Sequence, residues 1–381
     1  MNILFVGMYP NKINPYRNVF FRNLIYAMAD EGVNCTVISP VPVTKYRFAT
    51  PSIPKETIDK TPNGNSVKVY YPRFISVSSK KILGFNTGIL TERLFDKSAV
   101  RVAKSLTEKF DAVYGHFLLS GGLSAINIGK IKNIPSFVAY GECNYDTEVI
   151  NQFRDLKKED VESLSGIIAV SSHNASVLRS KPAFEGIPMI VAPNSVDTSL
   201  FFKKNKTLCR EKFDLPQDKF IVGFVGGFIE RKGDKRLLEA VNALDDVYCA
   251  FAGRGSDAPS GEKVLFCNAL DHDEIPDFVN AMDAFCLPTL NEGSCNALVE
   301  AASCGVPIIS SDLPFNDDLL TDENSIRIDP NSVDEISAAI LKVYKDQDYR
   351  EYLGNAIRES SKQFDIVVRC KKILAFISEN S

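Results

Sequence analysis

Short apolar runs recur along the chain and alternate with stretches whose apolar residues repeat at helical spacing. A buried strand is predicted over residues 2–8, and a helix follows whose apolar face is formed by Phe20, Leu24, Ala27 and Met28. Further strands are predicted at 35–39, 67–71, 111–117, 135–140, 166–172, 220–227, 248–255, 264–268, 284–287 and 305–310. Strands that alternate with helices are typical of doubly wound α/β domains with parallel sheets.

The length of 381 residues exceeds what one hydrophobic core usually holds, so two domains are expected. With 45% hydrophobic and 24% charged residues, the composition is that of a soluble globular protein. Nine cysteines without metal-ligand spacing, and three scattered histidines, predict free thiols and no metal site. We expect no signal peptide and no membrane-spanning helix, and therefore a cytoplasmic protein.

The net charge of −4 conceals a basic segment. Residues 41–109 hold 13 lysines and arginines against five acidic residues, which suggests an anionic partner. Within residues 74–104 the basic side chains are interleaved with apolar ones, as in segments that dock peripherally on an anionic membrane. An ordinary solvated helix face explains the pattern equally well. Nucleic acid is not an expected partner, because no recognised motif accompanies the charge.

Two carboxylates stand at the centre of the most informative stretch. Glu292 and Glu300 are eight residues apart, and the apolar runs 284–287 and 305–310 flank them as two strands. Glu292 falls in the loop after the first strand, and Glu300 falls in the helix that this loop opens. Ligands of parallel sheets bind at the carboxyl ends of strands, and the free amides at a helix start suit an anion such as a diphosphate.

A second cluster follows the strand that ends at Gly226-Gly227. Arg231 and Lys232 precede Gly233 at the entrance of the next helix, where two cations suit a diphosphate. Exposed basic residues in a turn are the plainer interpretation. Gly253-Arg254-Gly255 ends the following strand, although a G-x-G sequence alone is weak support for a nucleotide site.

The Glu292–Glu300 stretch resembles the E-x₇-E signature of retaining family-four glycosyltransferases, which have the GT-B fold. The match includes Gly293, Asn296 and the Gly-Val-Pro at 305–307. Residues 193–197 with Phe201 resemble the hinge motif of the same family, with Ser195 at the usual glycine. The resemblance implies two facing Rossmann-like domains with a carboxyl-terminal helix that crosses back. We place them at 1–195, the acceptor-binding domain, and 196–364, the nucleotide-sugar-binding domain, with the returning helix in 365–381.

The resemblance also implies roles for individual residues. The reaction would be a retaining transfer from a nucleotide-diphospho-sugar, without metal or cofactor. Lys232 would bind the diphosphate, Glu300 the ribose, and Glu292 the sugar together with the backbone that follows it. Relatives often have arginine where this chain has Gly227, and the adjacent Arg231 is assigned to the diphosphate by its position alone. The remaining residues on the donor side would be Gly227, Gly253, Asn268, Gly293, Ser294, Cys295 and Asn296.

Residues of the amino-terminal half are assigned to the sugar and the acceptor. His116 ends a predicted strand, and the resemblance implies a contact from it to the sugar hydroxyls. The acceptor-side candidates are Tyr16, Asn18, Gly141 and Glu142. Asn18 stands where relatives often have glycine, so a structural turn and an acceptor contact are both open.

The substrate is defined only by class. A UDP-sugar is favoured by its frequency in the family, and the basic 74–104 segment favours a lipid-linked or saccharide acceptor in cell-surface polysaccharide biosynthesis. A nucleotide-sugar 2-epimerase of the same fold, a synthase with a soluble acceptor and a catalytically degenerate binding subunit are the alternatives.

Overall fold

The computed structural model describes residues 1–15, 17–46, 49–77, 81–82, 85–86, 88–143 and 161–381, without the side chains of 81–82 and 85–86. The chain divides into two compact units. The first unit comprises residues 1–193 and 366–381, and the second comprises residues 194–365.

The first unit is an α/β unit that the carboxyl-terminal helix completes. Its strands are β1 (Asn2–Val6), β2 (Asn34–Ile38), β3 (Val41–Pro42), β4 (Glu56–Lys60), β5 (Ser66–Tyr70), β6 (Arg73–Phe74), β7 (Lys81–Ile82), β8 (Phe85–Asn86), β9 (Ala112–His116), β10 (Ser136–Tyr140), β11 (Gly166–Ala169) and β12 (Met189–Val191). Its helices are α1 (Val19–Asp30), α2 (Gly88–Ser105), α3 (Leu123–Lys132) and α4 (Ser172–Arg179).

The second unit contains strands and helices interspersed along the chain. Its strands are β13 (Phe220–Val225), β14 (Val247–Ala252), β15 (Val264–Asn268), β16 (Ala284–Leu287), β17 (Ile308–Ser311) and β18 (Ile326–Ile328). Its helices are α5 (Lys206–Lys212), α6 (Asp234–Asn242), α7 (Ile275–Asn280), α8 (Asn296–Cys304), α9 (Val333–Lys345) and α10 (Gln347–Ser361). The last helix of the chain, α11 (Ile366–Glu379), belongs to the first unit.

Each unit has a doubly wound sheet. The second unit has the order β15-β14-β13-β16-β17-β18, with every pair parallel. The first unit has the order β12-β11-β10-β9-β1-β2-β5-β4, in which only the edge strand β4 is antiparallel. The strand order reverses between β13 and β16 in one unit and between β1 and β9 in the other. Ligands of open α/β sheets bind at such switch points, at the carboxyl ends of the strands.

The alternation of side chains along β1 creates two cores in the first unit. Ile3 and Phe5 face a cluster that includes residues of α1 and α11, whereas Leu4 and Val6 face one that includes residues of α2 and α3. Helix α11 packs tightly, because a β-carbon added at Gly166 would lie 2.6 Å from the ring of Phe376. The predicted return of the carboxyl-terminal helix is therefore confirmed.

One apolar cluster forms the core of the second unit. The first and last few residues of this unit are joined by hydrogen bonds. The Val196 amide donates to the Phe364 carbonyl at 2.9 Å, and Val196 forms a bridge with Asp365. Thr198 also donates to the Asp365 carboxylate at 2.5 Å. The chain thus enters and leaves this unit at one place. The predicted architecture of two doubly wound α/β domains is confirmed.

Candidate functional site

The switch point of the second unit gathers the residues predicted to bind the donor. The chain leaves β13 through Gly226 and Gly227 and reaches a short 3₁₀ turn, Glu230–Lys232. It leaves β16 through Pro288 and Thr289 and reaches Glu292. The Leu290 amide donates to the Arg231 carbonyl at 2.8 Å, so the two loops are joined by their backbones.

The Glu292 carboxylate is the centre of this site. Its Oε1 lies 2.6 Å from Lys232 Nζ and 2.7 Å from Arg231 Nη1. Thr289 donates to the same oxygen at 2.9 Å, and Arg231 also donates to the Asn291 carbonyl. The residue is buried, with 8% of its surface exposed. One anion thus holds two cations, and the group keeps a net positive charge that suits an anionic ligand.

The surroundings keep Lys232 charged. Burial alone would lower the pKa of its ammonium group, but the negative charges of the Cys295 thiolate, which forms only at high pH, and of the Glu292 carboxylate outweigh burial and raise the pKa. Burial raises the pKa of the Cys295 thiol to about 11, so this cysteine is a neutral thiol at pH 7. The same thiol interacts electrostatically with Lys232, Glu292 and Glu300, so these groups converge around it.

The start of α8 lies beside this cluster. Cys295 occupies its N-cap position and makes no side-chain capping hydrogen bond, so the first amides of the helix lack an oxygen cap. Ser294 is held by Asn194, whose amide donates to the Ser294 hydroxyl at 3.0 Å and whose side chain donates to the Ser294 carbonyl at 3.0 Å. This pair fixes the loop in front of the helix.

Some buried side-chain oxygens at this site have no hydrogen-bond partner among the described residues. The amide oxygens of Asn291 and Asn296 are buried without a hydrogen bond to any described residue. Buried polar groups in folded proteins are nearly always hydrogen-bonded, so each such exception calls for an explanation. A ligand with several hydroxyl groups would supply the missing donors.

The two glycines predicted on the donor side at strand ends, Gly227 and Gly253, have different local roles. A β-carbon at Gly253 would overlap the Gly226 carbonyl oxygen, whereas one at Gly227 would meet nothing nearer than the Arg254 carbonyl at 3.8 Å. Gly253 therefore allows the exits of β13 and β14 to pack closely, and Gly227 leaves open space. Asn268 ends β15, and its carbonyl accepts a hydrogen bond from Gly253 at 3.0 Å.

Glu300 occupies the second turn of α8 and contacts a residue that sequence reasoning did not assign. Its Oε1 lies 3.4 Å from His272 Nε2. His272 belongs to the turn between β15 and α7. The contact joins two segments 28 residues apart, and no local pattern indicates it.

His116 ends β9 at the switch point of the first unit. It is 4% exposed, and its ring stacks on Phe21 with 4.2 Å between centroids. Both ring nitrogens are buried without a hydrogen-bond partner among the described residues. Burial lowers the pKa of His116 to about 3, with Arg369 as a smaller cause. The imidazole is therefore neutral at pH 7.

Strained backbone follows His116. Residues Phe117–Gly122 form a π-helical turn in which Phe117 has φ +69° and Ser120 has φ +58°. Glu142, after β10, accepts hydrogen bonds from the Leu118 amide at 2.7 Å and the Gly141 amide at 3.1 Å. Burial raises the pKa of Glu142 to about 7 against these hydrogen bonds. The predicted acceptor-side pair Gly141 and Glu142 thus anchors the turn after His116.

The first loop of the unit contains the other acceptor-side candidates. Asn18 has φ +50°, in the left-handed region that glycine favours, and its side chain donates to the Met8 carbonyl at 2.9 Å. A structural role in the turn is thus established for Asn18, and an acceptor contact remains a prediction. Tyr16 lies outside the described residues.

No helix within the described ranges has the length and apolar character needed to cross a membrane. No three His, Cys, Asp or Glu side chains of those ranges come together as ligands for a metal ion. Transfer without a metal stays a prediction. All nine cysteines are free thiols, and Cys35, Cys249 and Cys286 are among the buried ones.

Sequence reasoning missed Thr289, Asn194 and His272, which support the predicted residues. Thr289 could have been found from its position between the end of β16 and Glu292. Asn194 and His272 act across about 100 and 28 residues of sequence. Their contacts depend on the tertiary fold alone.

Known proteins resemble this chain in sequence. Residues 205–360 match the family model described as "Glycosyl transferases group 1". TuaC of Bacillus subtilis (strain 168), named as a candidate teichuronic acid biosynthesis glycosyltransferase, is 24% identical over 96% of this chain and 95% of its own. An Escherichia coli protein named UDP-Gal:alpha-D-GlcNAc-diphosphoundecaprenol alpha-1,3-galactosyltransferase is 25% identical over 73% of this chain and 78% of its own.

Solved structures with low sequence identity have the same fold. Sucrose-phosphate synthase from Thermosynechococcus elongatus aligns over 100% of both chains, with a TM-score of 0.78 and 17% identity. Anabaena Alr3699/HepE in complex with UDP and glucose aligns over 100% of both chains, with a TM-score of 0.67 and 16% identity. The chain is therefore a glycosyltransferase of the GT-B fold, and its residues 205–360 belong to the group 1 glycosyl transferases.

Proposed function

We propose that this enzyme transfers a sugar from a UDP-sugar, with retention of the anomeric configuration, to a lipid-linked or saccharide acceptor in cell-surface polysaccharide biosynthesis. The observation that carries the donor half is the Glu292 carboxylate held between Lys232 and Arg231 beside the uncapped start of α8. Few other ligands need two cations, the amides of a helix start and oxygen acceptors for hydroxyl groups in one place.

The diphosphate would bind to the positively charged groups. Departure of a nucleoside diphosphate builds negative charge on its phosphate oxygens, and fixed cations stabilise that charge. Lys232 and Arg231 can stabilise the diphosphate because both side chains are accessible to a ligand. The Lys232 side chain is 15% exposed and that of Arg231 is 34% exposed. On ligand binding, the two cations would share their contacts between Glu292 and the phosphates.

The sugar and the ribose would donate hydrogen bonds to the carboxylates and to the unpartnered side-chain amide oxygens. Glu292 and the free side-chain oxygens of Asn291 and Asn296 would accept hydrogen bonds from sugar hydroxyls. Glu300, one helical turn further along α8, would accept those of the ribose. His116 would serve as a neutral hydrogen-bonding group for the substrate, because burial holds its pKa far below 7.

The choice of UDP draws support from two known proteins. The Escherichia coli relative is named for transfer from UDP-Gal, and the solved structure of HepE contains UDP. The names of that relative and of the Bacillus subtilis one also support a diphosphoundecaprenol or polysaccharide acceptor. We propose a reaction without a metal because the Glu292–Glu300 stretch resembles that of family-four glycosyltransferases.

The test of the donor is thermal unfolding with UDP, GDP and ADP. A ligand at 100 times its dissociation constant stabilises a protein by about 2.7 kcal/mol. We expect UDP alone to raise the midpoint, Glu300→Ala to abolish the shift, and Glu262→Ala, at an exposed position of the same unit, to retain it. Absence of a shift with all three nucleotides would contradict the donor site. The anomeric configuration of the product, read by NMR, tests retention.

The acceptor half of the proposal draws support from α2. The exposed face of this helix carries Arg93, Lys97, Arg101 and Lys104, which form no ion pair with a described residue, and Leu90 is 44% exposed beside them. The opposite face is buried through Phe95, Ala99 and Ala103. A cationic face with exposed apolar side chains suits the surface of an anionic membrane, where lipid-linked acceptors reside.

Co-sedimentation with vesicles tests this surface. We expect binding to vesicles that contain anionic lipid and not to purely zwitterionic ones, and loss of binding in Lys97→Glu/Arg101→Glu. Lys345→Glu/Lys372→Glu changes the charge equally at two other exposed positions and should bind as the wild type does. Equal binding by both double variants would contradict a role for α2.

A further inference from the structure

The Glu300 carboxylate has a partner whose own position is fixed. Its Oε1 faces His272 Nε2 at 3.4 Å, and the two side chains are 14% and 36% exposed respectively. The imidazole thus lies at the rim of the site, with Glu300 beneath it. In the tautomer with a proton on Nε2, the ring donates a hydrogen bond to the carboxylate.

The turn that carries His272 is closed on itself. The Glu274 amide donates to the Asp271 carbonyl at 3.0 Å, and the Asp271 amide donates to the Glu274 carboxylate at 3.0 Å. The His272 ring also meets the ring of Phe201 edge-on, with 5.4 Å between centroids. Phe201 is 1% exposed and cannot move aside without disturbing the core. The imidazole is therefore held from two directions.

Phe201 fixes the helix that carries Glu300 as well. Ser303 lies three residues after Glu300 on α8, and its hydroxyl donates to the Phe201 carbonyl at 2.6 Å. Residues three apart on a helix share one face. One buried residue thus sets the position of both partners, His272 through its ring and Glu300 through the helix.

We infer that His272 is a positioning residue that determines specificity, because it holds the Glu300 carboxylate in the orientation that recognises the hydroxyls of a ribose. The inference rests on the proposed function, in which Glu300 binds the ribose. A glutamate side chain has several rotatable bonds, and fixing them before binding removes an entropic cost. A carboxylate can accept about four hydrogen bonds, so one bond from His272 leaves enough for two ribose hydroxyls.

The readout is discrimination between UDP and 2′-deoxy-UDP, measured by titration calorimetry. A purely structural role of His272 would change stability or overall affinity, but would not change the ratio of the two affinities. For the wild type we expect UDP to bind roughly 10-fold more tightly, since the lost hydrogen bond is to a charged group. Glu300→Gln should reduce the ratio to roughly 2-fold or less.

Variants of His272 test the hydrogen bond from its ring nitrogen separately from the packing of its ring. His272→Phe keeps a ring against Phe201 but has no donor, and we expect the ratio to fall close to that of Glu300→Gln. His272→Gln restores a donor and should recover most of the ratio. Asp273→Ala, at the exposed neighbouring position of the same turn, is the matched control and should leave the ratio unchanged.

The outcomes distinguish this inference from its premise. A wild-type ratio in His272→Phe, with Glu300→Gln reduced, would overturn the role of His272 and leave the donor site intact. A full ratio in Glu300→Gln would overturn the assignment of Glu300 to the ribose and the role of His272 with it. A wild type that binds no nucleoside diphosphate would overturn the proposed function. If Glu300→Gln/His272→Phe behaves as Glu300→Gln alone, the two residues act as one unit.

Discussion

Replacing Glu292 by glutamine should strengthen the binding of UDP and lower the stability of the ligand-free protein. Glutamine has nearly the same shape and keeps one oxygen acceptor for Lys232 and Arg231, but it removes the negative charge. In the wild type a diphosphate must compete with Glu292 for both cations. In Glu292→Gln the cations are free of that competition, and the local charge becomes more positive by one.

The magnitude follows from the two short contacts. At an effective dielectric constant of about 20, unit charges 2.6 Å apart attract by roughly 6 kcal/mol, and the desolvation of both groups cancels most of this. The Arg231 side chain is 34% exposed, which reduces its share further. We therefore expect a loss of ~2–3 kcal/mol in the unfolding free energy without ligand, mainly from the uncompensated Lys232.

The expected gain in UDP affinity is roughly 10-fold, which corresponds to about 1.4 kcal/mol. Calorimetric titration with UDP at low and at physiological salt measures it, and the gain should shrink as salt screens the charges. Glu300→Gln is the matched variant, because it removes the same charge eight residues away and should weaken UDP binding instead. A weaker affinity in Glu292→Gln, parallel to that in Glu300→Gln, would refute the competition between Glu292 and the diphosphate.

Three further predictions concern the packing and the titration described above. Gly253→Ala should cost more than ~3 kcal/mol, with a midpoint lower by roughly 2–4 °C per kcal/mol, whereas Gly227→Ala should be near neutral in a thermal melt. Phe376→Ala should cost ~3–5 kcal/mol in a denaturant titration, and Val368→Ala, at a position 49% exposed, less than ~0.5. Burial raises the pKa of Glu142 from 4.5 to about 7, so the folded state keeps a proton that the unfolded chain releases. Stability should therefore fall as pH rises between these values, and Glu142→Gln should remove that slope from melts at pH 4.5–8.

The sheets and the donor-side residues could be predicted because their signals are local. The run at 284–287, the glycine after Glu292 and the small residues after Glu300 define a strand, a loop and a helix within about 25 residues of sequence. A parallel sheet then places such a loop at the carboxyl end of a strand. The position of Glu292 near Lys232 follows from the strand order alone.

The partners of these residues could not be predicted in the same way. His272 meets Glu300, and Glu142 meets the Leu118 amide, through packing between distant segments. Nor does the sequence around Phe117 indicate its positive φ, which a phenylalanine adopts only when its surroundings impose it. The burial of His116 among phenylalanine rings has the same origin, since Phe21 and Phe117 reach it from different elements.

The place of α11 in the first unit has a consequence for biosynthesis. The ribosome makes residues 366–381 only after all of residues 194–365, so the whole second unit can fold while the first still lacks a helix. During that interval the surface around Phe137 and Gly166, which Phe376 later covers, is open to solvent. An exposed apolar surface on a nascent chain invites aggregation. Newly made chains should therefore depend on chaperones until α11 docks, and a truncation before residue 366 should leave the first unit aggregation-prone while the second remains folded.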